Sequence, residues 1–164
     1  MSCDRHGTAC ARTPTASGQR SAKPEDNDGT LIMQSAAAAQ RTRVLLVDDN
    51  ESMRERAGAV LSPTCEVIGT ANDGPTAIEA AGRLSPDVIV LDISMPGMTG
   101  FDVIQRIRAA SANNVIVAAM TGLGSDEDIA RTRTAGFDAH LTKPVDLPEL
   151  EGVLARAALR AAEG

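Results

Sequence analysis

The 164-residue chain has no tryptophan and no tyrosine, and Phe101 and Phe137 are its only phenyl rings. Its core must therefore be assembled from Val, Ile, Leu, Met and Ala. No apolar run approaches the ~20 residues that a membrane-spanning helix needs. The N-terminus carries no hydrophobic stretch of the signal-peptide kind, so the chain reads as cytoplasmic, with no membrane partner. Positive charge is also short: 16 Lys and Arg against 22 Asp and Glu give a net charge of −6. Without a basic stripe, phosphate-led binding to nucleic acid is excluded as a reading. Cysteine is sparse. Cys65 opens an apolar run and reads as a small core residue. Cys3, His6 and Cys10 match no zinc spacing and lack a fourth ligand. There is no Walker-type phosphate loop, and Gly122-Leu123-Gly124 lacks the third glycine of a dinucleotide-binding turn.

What the chain does have is a set of short apolar runs that each stop at a reactive side chain. Val88-Ile89-Val90-Leu91 ends in Asp92, followed by Ser94-Met95-Pro96-Gly97. Such a run, bounded by turn residues, reads as a strand buried on both faces. Val44-Leu45-Leu46-Val47 ends in Asp48-Asp49. Val115 to Met120 ends in Thr121-Gly122. Ala139-His140-Leu141-Thr142 ends in Lys143-Pro144. In an open parallel sheet the carboxyl ends of the strands are where ligands bind. Acids, a hydroxyl and an ammonium gathered there can hold a divalent cation, accept a phosphoryl group and neutralise it.

The combination of an acidic pair after strand 1, Asp-x-x-Met-Pro-Gly after strand 3, Thr-Gly after strand 4 and Lys-Pro after strand 5 resembles the receiver domain of two-component response regulators. The resemblance covers roughly Thr42 to Ala162. It implies a doubly wound (βα)5 flavodoxin-like sheet of five parallel strands, in the order 2-1-3-4-5, with helices on both faces. The expected layout is a disordered tail over residues 1–40, a receiver over 41–164 and no output domain, making this a stand-alone, non-enzymatic module. The tail is rich in Ala, Thr, Ser, Gly and Pro and its charges cancel, so it has too little apolar surface to offset chain entropy. An inert tail is the favoured reading. A partner-binding arm, or translation starting at Met33, stands beside it.

The strands are expected at Arg43–Val47, Cys65–Thr70, Asp87–Leu91, Val115–Met120 and Ala139–Thr142. Helix 1 runs from about Ser52 to Leu61, with Met53, Ala57, Val60 and Leu61 inward and Arg54, Glu55 and Arg56 facing solvent. Helix 2 starts at Asp73-Gly74-Pro75 and buries Ala77, Ala80, Ala81 and Leu84. Helix 3 starts near Thr99 or Gly100 and turns Phe101, Ile104 and Ile107 inward. Ser125 to Asp128 resembles a capping box opening helix 4, a weakly apolar helix of Ile129, Ala130 and Ala135. Helix 5 is capped by Asp146 to Glu149, with a stripe of Leu147, Leu150, Leu154, Ala157 and Ala161.

Asp92 is the candidate phosphoacceptor, since carboxylates can form aspartyl phosphates. By itself it would read as a strand-end cap. Asp48 and Asp49 could likewise cap helix 1, but paired acids beside Asp92 repel without a cation, and Mg²⁺ suits such oxygen ligands. The resemblance implies that Asp48, Asp49, Asp92 and the backbone carbonyl of Ser94 form the metal site. Lys143 is the only lysine after the tail, where every other basic residue is Arg. It suits a phosphate as a point charge, and the resemblance implies a cis bond to Pro144. Thr121 is the expected switch hydroxyl. Two departures from the family stand out. His140 replaces the usual Phe or Tyr, and reads equally as a switch residue or a half-exposed strand histidine. Thr99 replaces an acid or Asn and is expected to cap helix 3.

The implied partners are a histidine kinase or histidine phosphotransfer protein, docking on helix 1 and the loop after strand 5, and a downstream protein on the helix 4–strand 5–helix 5 face. Direct signalling and onward relay of the phosphoryl group both stand. An efficient phosphatase of the haloacid-dehalogenase type is excluded, because its second Asp falls at Ser94. The rival reading is a pseudo-receiver that binds partners without phosphorylation.

Overall fold

The structure is a computed structural model and describes residues 41–110, 114–122 and 124–163. The expected tail, 1–40, lies outside the described residues. From Arg43 onward the chain alternates strand and helix: β1 (Arg43–Val47), α1 (Glu51–Leu61), β2 (Glu66–Ala71), α2 (Gly74–Leu84), β3 (Val88–Asp92), α3 (Gly100–Ala110), β4 (Ile116–Thr121), α4 (Asp126–Ala135), β5 (Ala139–Thr142) and α5 (Leu147–Glu163). The five strands form one parallel sheet in the order β2-β1-β3-β4-β5. This is the doubly wound order that the resemblance implies.

The strands are apolar on both sides because helices cover both faces. On one face Val44, Leu46, Val90 and Ala118 pack with Leu61 of α1 and Leu150 and Leu154 of α5. On the other Leu45, Val47, Ile89 and Ala119 pack with Ala77 and Ala81 of α2 and Val103, Ile104 and Ile107 of α3. Small alanines let α2 lie close to the sheet, and large aliphatics on α3 fill the remaining volume together with Phe137.

Three of the strands sit one residue later than expected. Asp92 is the last residue of β3 and is in register with Met120, rather than the first residue beyond the strand. Asp87 instead precedes β3, and its carboxylate accepts the Arg43 amide at 2.8 Å. The helix starts follow their capping chemistry. Asn50 accepts the Met53 amide, Asp73 the Thr76 amide and Ser125 the Asp128 amide. Thr99 and Asp102 cap α3 reciprocally, through Asp102 Oδ2 and the Thr99 amide at 3.0 Å and hydroxyl at 2.7 Å. At α5 Asp146 contributes its backbone carbonyl to Leu150.

Some inward-facing assignments fail. Leu147 is 41% exposed and Ala161 is exposed, while Val153 joins the α5 stripe. Leu147 is the first helical residue and precedes the turn that reaches the sheet. Phe101 is half-buried, with Val103 taking its place in the core. On α4 Ala130 is exposed and the one buried residue is Thr132. Arg54 does not face solvent: it is half-buried and turns back over the β1–α1 loop.

Candidate functional site

All four expected strand ends meet at the carboxyl edge of the sheet. β1 and β3 are neighbours, so Asp48 and Asp92 come from adjacent strand ends, and Asp49 follows Asp48 in a three-residue loop. One carboxylate oxygen from each of Asp48, Asp49 and Asp92 lies within 4.8 Å of the others. Asp48 and Asp92 are buried and Asp49 is exposed. The cap of α1 is Asn50, so neither acid of the pair is spent on capping the helix.

The two buried acids each divide their oxygens between structure and site. Asp48 Oδ1 accepts the Asn50 amide at 2.8 Å, and Asp92 Oδ1 accepts the Ser94 amide at 3.0 Å. The other oxygens point to Lys143, whose Nζ is 2.9 Å from Asp48 Oδ2 and 3.2 Å from Asp92 Oδ2. Lys143 is thus an inward-facing ammonium, and the Lys143–Pro144 peptide bond is cis. The contact to Asp48 Oδ2 is one of charge rather than alignment, because that buried oxygen receives no well-directed hydrogen bond. Lys143 is thus shared between two buried carboxylates, with Asp49 beside them, and three acids around one ammonium leave the cluster net negative.

Protonation follows from these surroundings. Burial pushes the Asp92 carboxyl above the ordinary range, and Asp48 adds to this; the Ser94 amide and Lys143 pull the other way without cancelling it. For Lys143 burial works against the ammonium, but its contacts with Asp48 and Asp92 outweigh burial and raise its pKa. The Lys143 ammonium is therefore favoured, while ionisation of Asp92 is harder than for an ordinary carboxylate. That is the electrostatic state of a centre short of positive charge.

Thr121 is buried at the end of β4, in register with Thr142, and its carbonyl accepts the Lys143 amide at 2.7 Å. Thr121 and Lys143 are thereby joined through the backbone. Ser94 lies on the exposed loop after Asp92. Behind that loop Gly100 presses on the strand: a Cβ there would come within 2.7 Å of Ile93 Cα and 2.8 Å of the Asp92 carbonyl. Only glycine lets α3 start this close to the Asp92 backbone. His140 lies on β5 outside the acid cluster. Its Nδ1 is 3.4 Å from Thr132 Oγ1, and its Nε2 is buried without a partner. The Thr132 hydroxyl donates to the Ile129 carbonyl, so toward His140 it acts as an acceptor.

The matching family model, the response regulator receiver domain, spans residues 44–155. The chain belongs to this family. The receiver is 44% identical over 99 residues to the protein-glutamate methylesterase/protein-glutamine glutaminase of Rhizobium etli, covering 58% of this chain and 28% of that protein. It is 38% identical over 114 residues to the probable transcriptional regulatory protein TcrX of Mycobacterium tuberculosis, covering 70% and 48%. It spans about a quarter to a half of the length of these curated relatives. Among solved structures it resembles the chemotaxis response regulator CheY4 of Vibrio cholerae, with a TM-score of 0.65, 30% identity and coverage of 72% of this chain and 99% of that one. The response regulator domain of Thermotoga maritima CheB gives a TM-score of 0.62 at 32% identity, over 72% and 96%. Among the described residues no helix is long and apolar enough to cross a membrane.

The Arg54 contact, the Thr132–His140 pair and Arg131 stacked 4.7 Å above the Phe101 ring are among the features of the receiver that escaped the reading of its sequence. Only Phe101 and Phe137, as the sole ring pair, carried a signal in composition; they meet edge to face with centroids 6.0 Å apart.

Proposed function

We propose that this receiver accepts a phosphoryl group on Asp92 from a phosphohistidine of a cytoplasmic kinase or phosphotransfer protein, in a Mg²⁺-dependent reaction. The observation that carries this reading is the buried Asp48 Oδ2. It has no aligned donor and lies 2.9 Å from the Lys143 ammonium, while Asp48, Asp49 and Asp92 each bring a carboxylate oxygen within 4.8 Å of the others. Asp48 and Asp49 would hold Mg²⁺ with Asp92 and the Ser94 carbonyl. When bound, the ion supplies fixed positive charge for carboxylates and phosphoryl oxygens that otherwise repel by about 4 kcal/mol per close unit pair.

Asp92 Oδ2 is the attacking oxygen, because Oδ1 is held by the Ser94 amide. It forms the new O–P bond as the N–P bond of the phosphoimidazole breaks, and the imidazole leaves with its electron pair and takes a proton from solvent. Lys143, freed from Asp92, follows the charge onto the phosphoryl oxygens. The Lys143 amide is bonded to the Thr121 carbonyl, so the two residues are anchored side by side at the strand ends. Thr121 then acts as the switch hydroxyl, with His140 as its companion on β5.

Two surfaces support the partner assignments. An apolar groove formed by Met53, Ala57, Val60, Pro144 and Val145 lies beside the site and suits the phosphodonor. A mixed groove with Ile129, Arg133, His140, Glu149 and Arg156 runs between α4, β5 and α5 and suits a downstream protein. The test is intact-protein mass after incubation with acetyl phosphate and Mg²⁺. Wild type should gain one phosphoryl group, while Asp92→Asn and wild type in EDTA should gain none. Labelling of Asp92→Asn, or undiminished labelling in EDTA, would sink this assignment.

A further inference from the structure

We infer that Arg54 is a positioning residue for the metal-binding acids, acting through the peptide that joins Asp48 to Asp49. Its guanidinium donates from Nη1 to the Asp48 carbonyl at 2.6 Å. The inference rests on the proposed Mg²⁺ site and concerns how that site is held.

The Asp48 carbonyl has a particular problem. It follows the last paired residue of β1, since the ladders to β2 and β3 both end at Val47. The Asp48 amide still reaches the Ala71 carbonyl at 3.1 Å, but beyond it the loop must turn into α1 within three residues. Asn50 is occupied at both ends. Its side chain caps the Met53 amide, and its carbonyl accepts the Arg54 amide at 3.0 Å. Asp48 Oδ1 is committed to the Asn50 amide. Among the described residues, the bond that holds the peptide between the two acids from the helix side is therefore the one from Arg54.

The location of Arg54 supports a specific purpose. Side chains on a helix lean toward its N-terminus, so a long residue one turn into α1 reaches back over the loop. A cation so near a helix start is opposed by the macrodipole. The acid pair and the Asp48 carbonyl offset that penalty, and a charge-assisted bond is about twice as strong as a neutral one. Losing the bond would free the peptide to rotate, and both carboxylates turn with it. Two of the expected metal ligands would then share one loosened hinge.

The experiment is calorimetric titration of the unphosphorylated protein with Mg²⁺, on wild type, Arg54→Ala, Arg54→Gln and Arg54→Lys, with melting temperatures alongside. Arg54→Ala should weaken Mg²⁺ binding at least fivefold. Arg54→Lys should recover most of that loss, and Arg54→Gln should fall between, since it keeps a donor without the charge. In acetyl phosphate assays the Mg²⁺ concentration for half-maximal labelling should rise in the same order, with the rate at saturating Mg²⁺ changed less than twofold. If Arg54→Ala lowers the melting temperature but leaves Mg²⁺ affinity unchanged, Arg54 is merely structural and the inference fails. If removing the charge tightens Mg²⁺ binding, repulsion dominates positioning and it also fails. Absence of any Mg²⁺ binding by wild type would instead overturn the proposed metal site itself, which keeps the two failures apart.

Discussion

The two edges of the sheet handle the same residue in opposite ways. At the amino edge Asp138 precedes β5, and its carboxylate is surrounded by donors. Arg108 bonds Oδ2, which also accepts the Val117 amide at 2.9 Å, and Arg160 bonds Oδ1 at 3.0 Å. Asp87 before β3 accepts the Arg43 amide from the neighbouring strand in the same manner. At the carboxyl edge Asp48 and Asp92 are more deeply buried yet share a single ammonium, and one oxygen has no aligned donor. Where an aspartate is there to hold strands together, its bonds are complete. Where they are left incomplete, the surrounding structure carries a cost that a ligand can relieve.

The largest expected effect comes from breaking the satisfied edge. Asp138→Ala leaves Arg108 and Arg160 unopposed and the Val117 amide unpaired, and should destabilise the fold by about 3 kcal/mol in urea unfolding. Its Mg²⁺ affinity should stay near that of wild type. The reverse holds at the other edge: Asp92→Asn should stabilise the metal-free protein by about 1 kcal/mol at neutral pH, because it removes a poorly compensated buried charge. A loss of stability in this variant would mean that the resting site is not short of positive charge.

The same contrast has a pH signature. Asp92 has a folded pKa above its ordinary value, so the folded state binds its proton more tightly than the unfolded chain does. Metal-free stability should therefore fall as pH rises from the ordinary carboxylate range through the raised value. Asp92→Asn should lack that component in unfolding measured across the same window. The smallest effect is expected away from both edges. Arg131→Ala removes the cation over Phe101 and should cost about 0.5 kcal/mol, with Mg²⁺ affinity unaltered.

The fold and the acid cluster were readable because four of the five apolar runs stop at a polar side chain, so a one-dimensional pattern marks one edge in space. Asp48, Asp92, Thr121 and Lys143 could be found this way without knowing any distance. Arg54 could not, because Arg54-Glu55-Arg56 has the look of an ordinary solvated face, and its reach to Asp48 depends on the tight loop before α1. Asp138 was silent for a different reason. Its arginine partners lie 30 and 22 residues away and follow no local period. Leu147 misled because helical spacing does not say which turn of a helix first meets the sheet.

Helix α4 has one buried side chain, Thr132, whereas α3 buries Gly100, Val103, Ile104 and Ile107. In hydrogen-exchange terms the two helices should therefore differ sharply. Amides of α4 should exchange through local openings, while those of α3 wait for global unfolding. The more weakly anchored of these two helices follows Thr121 in the chain and flanks His140, so a ligand that bound its open and closed forms unequally would need little differential affinity to shift their populations.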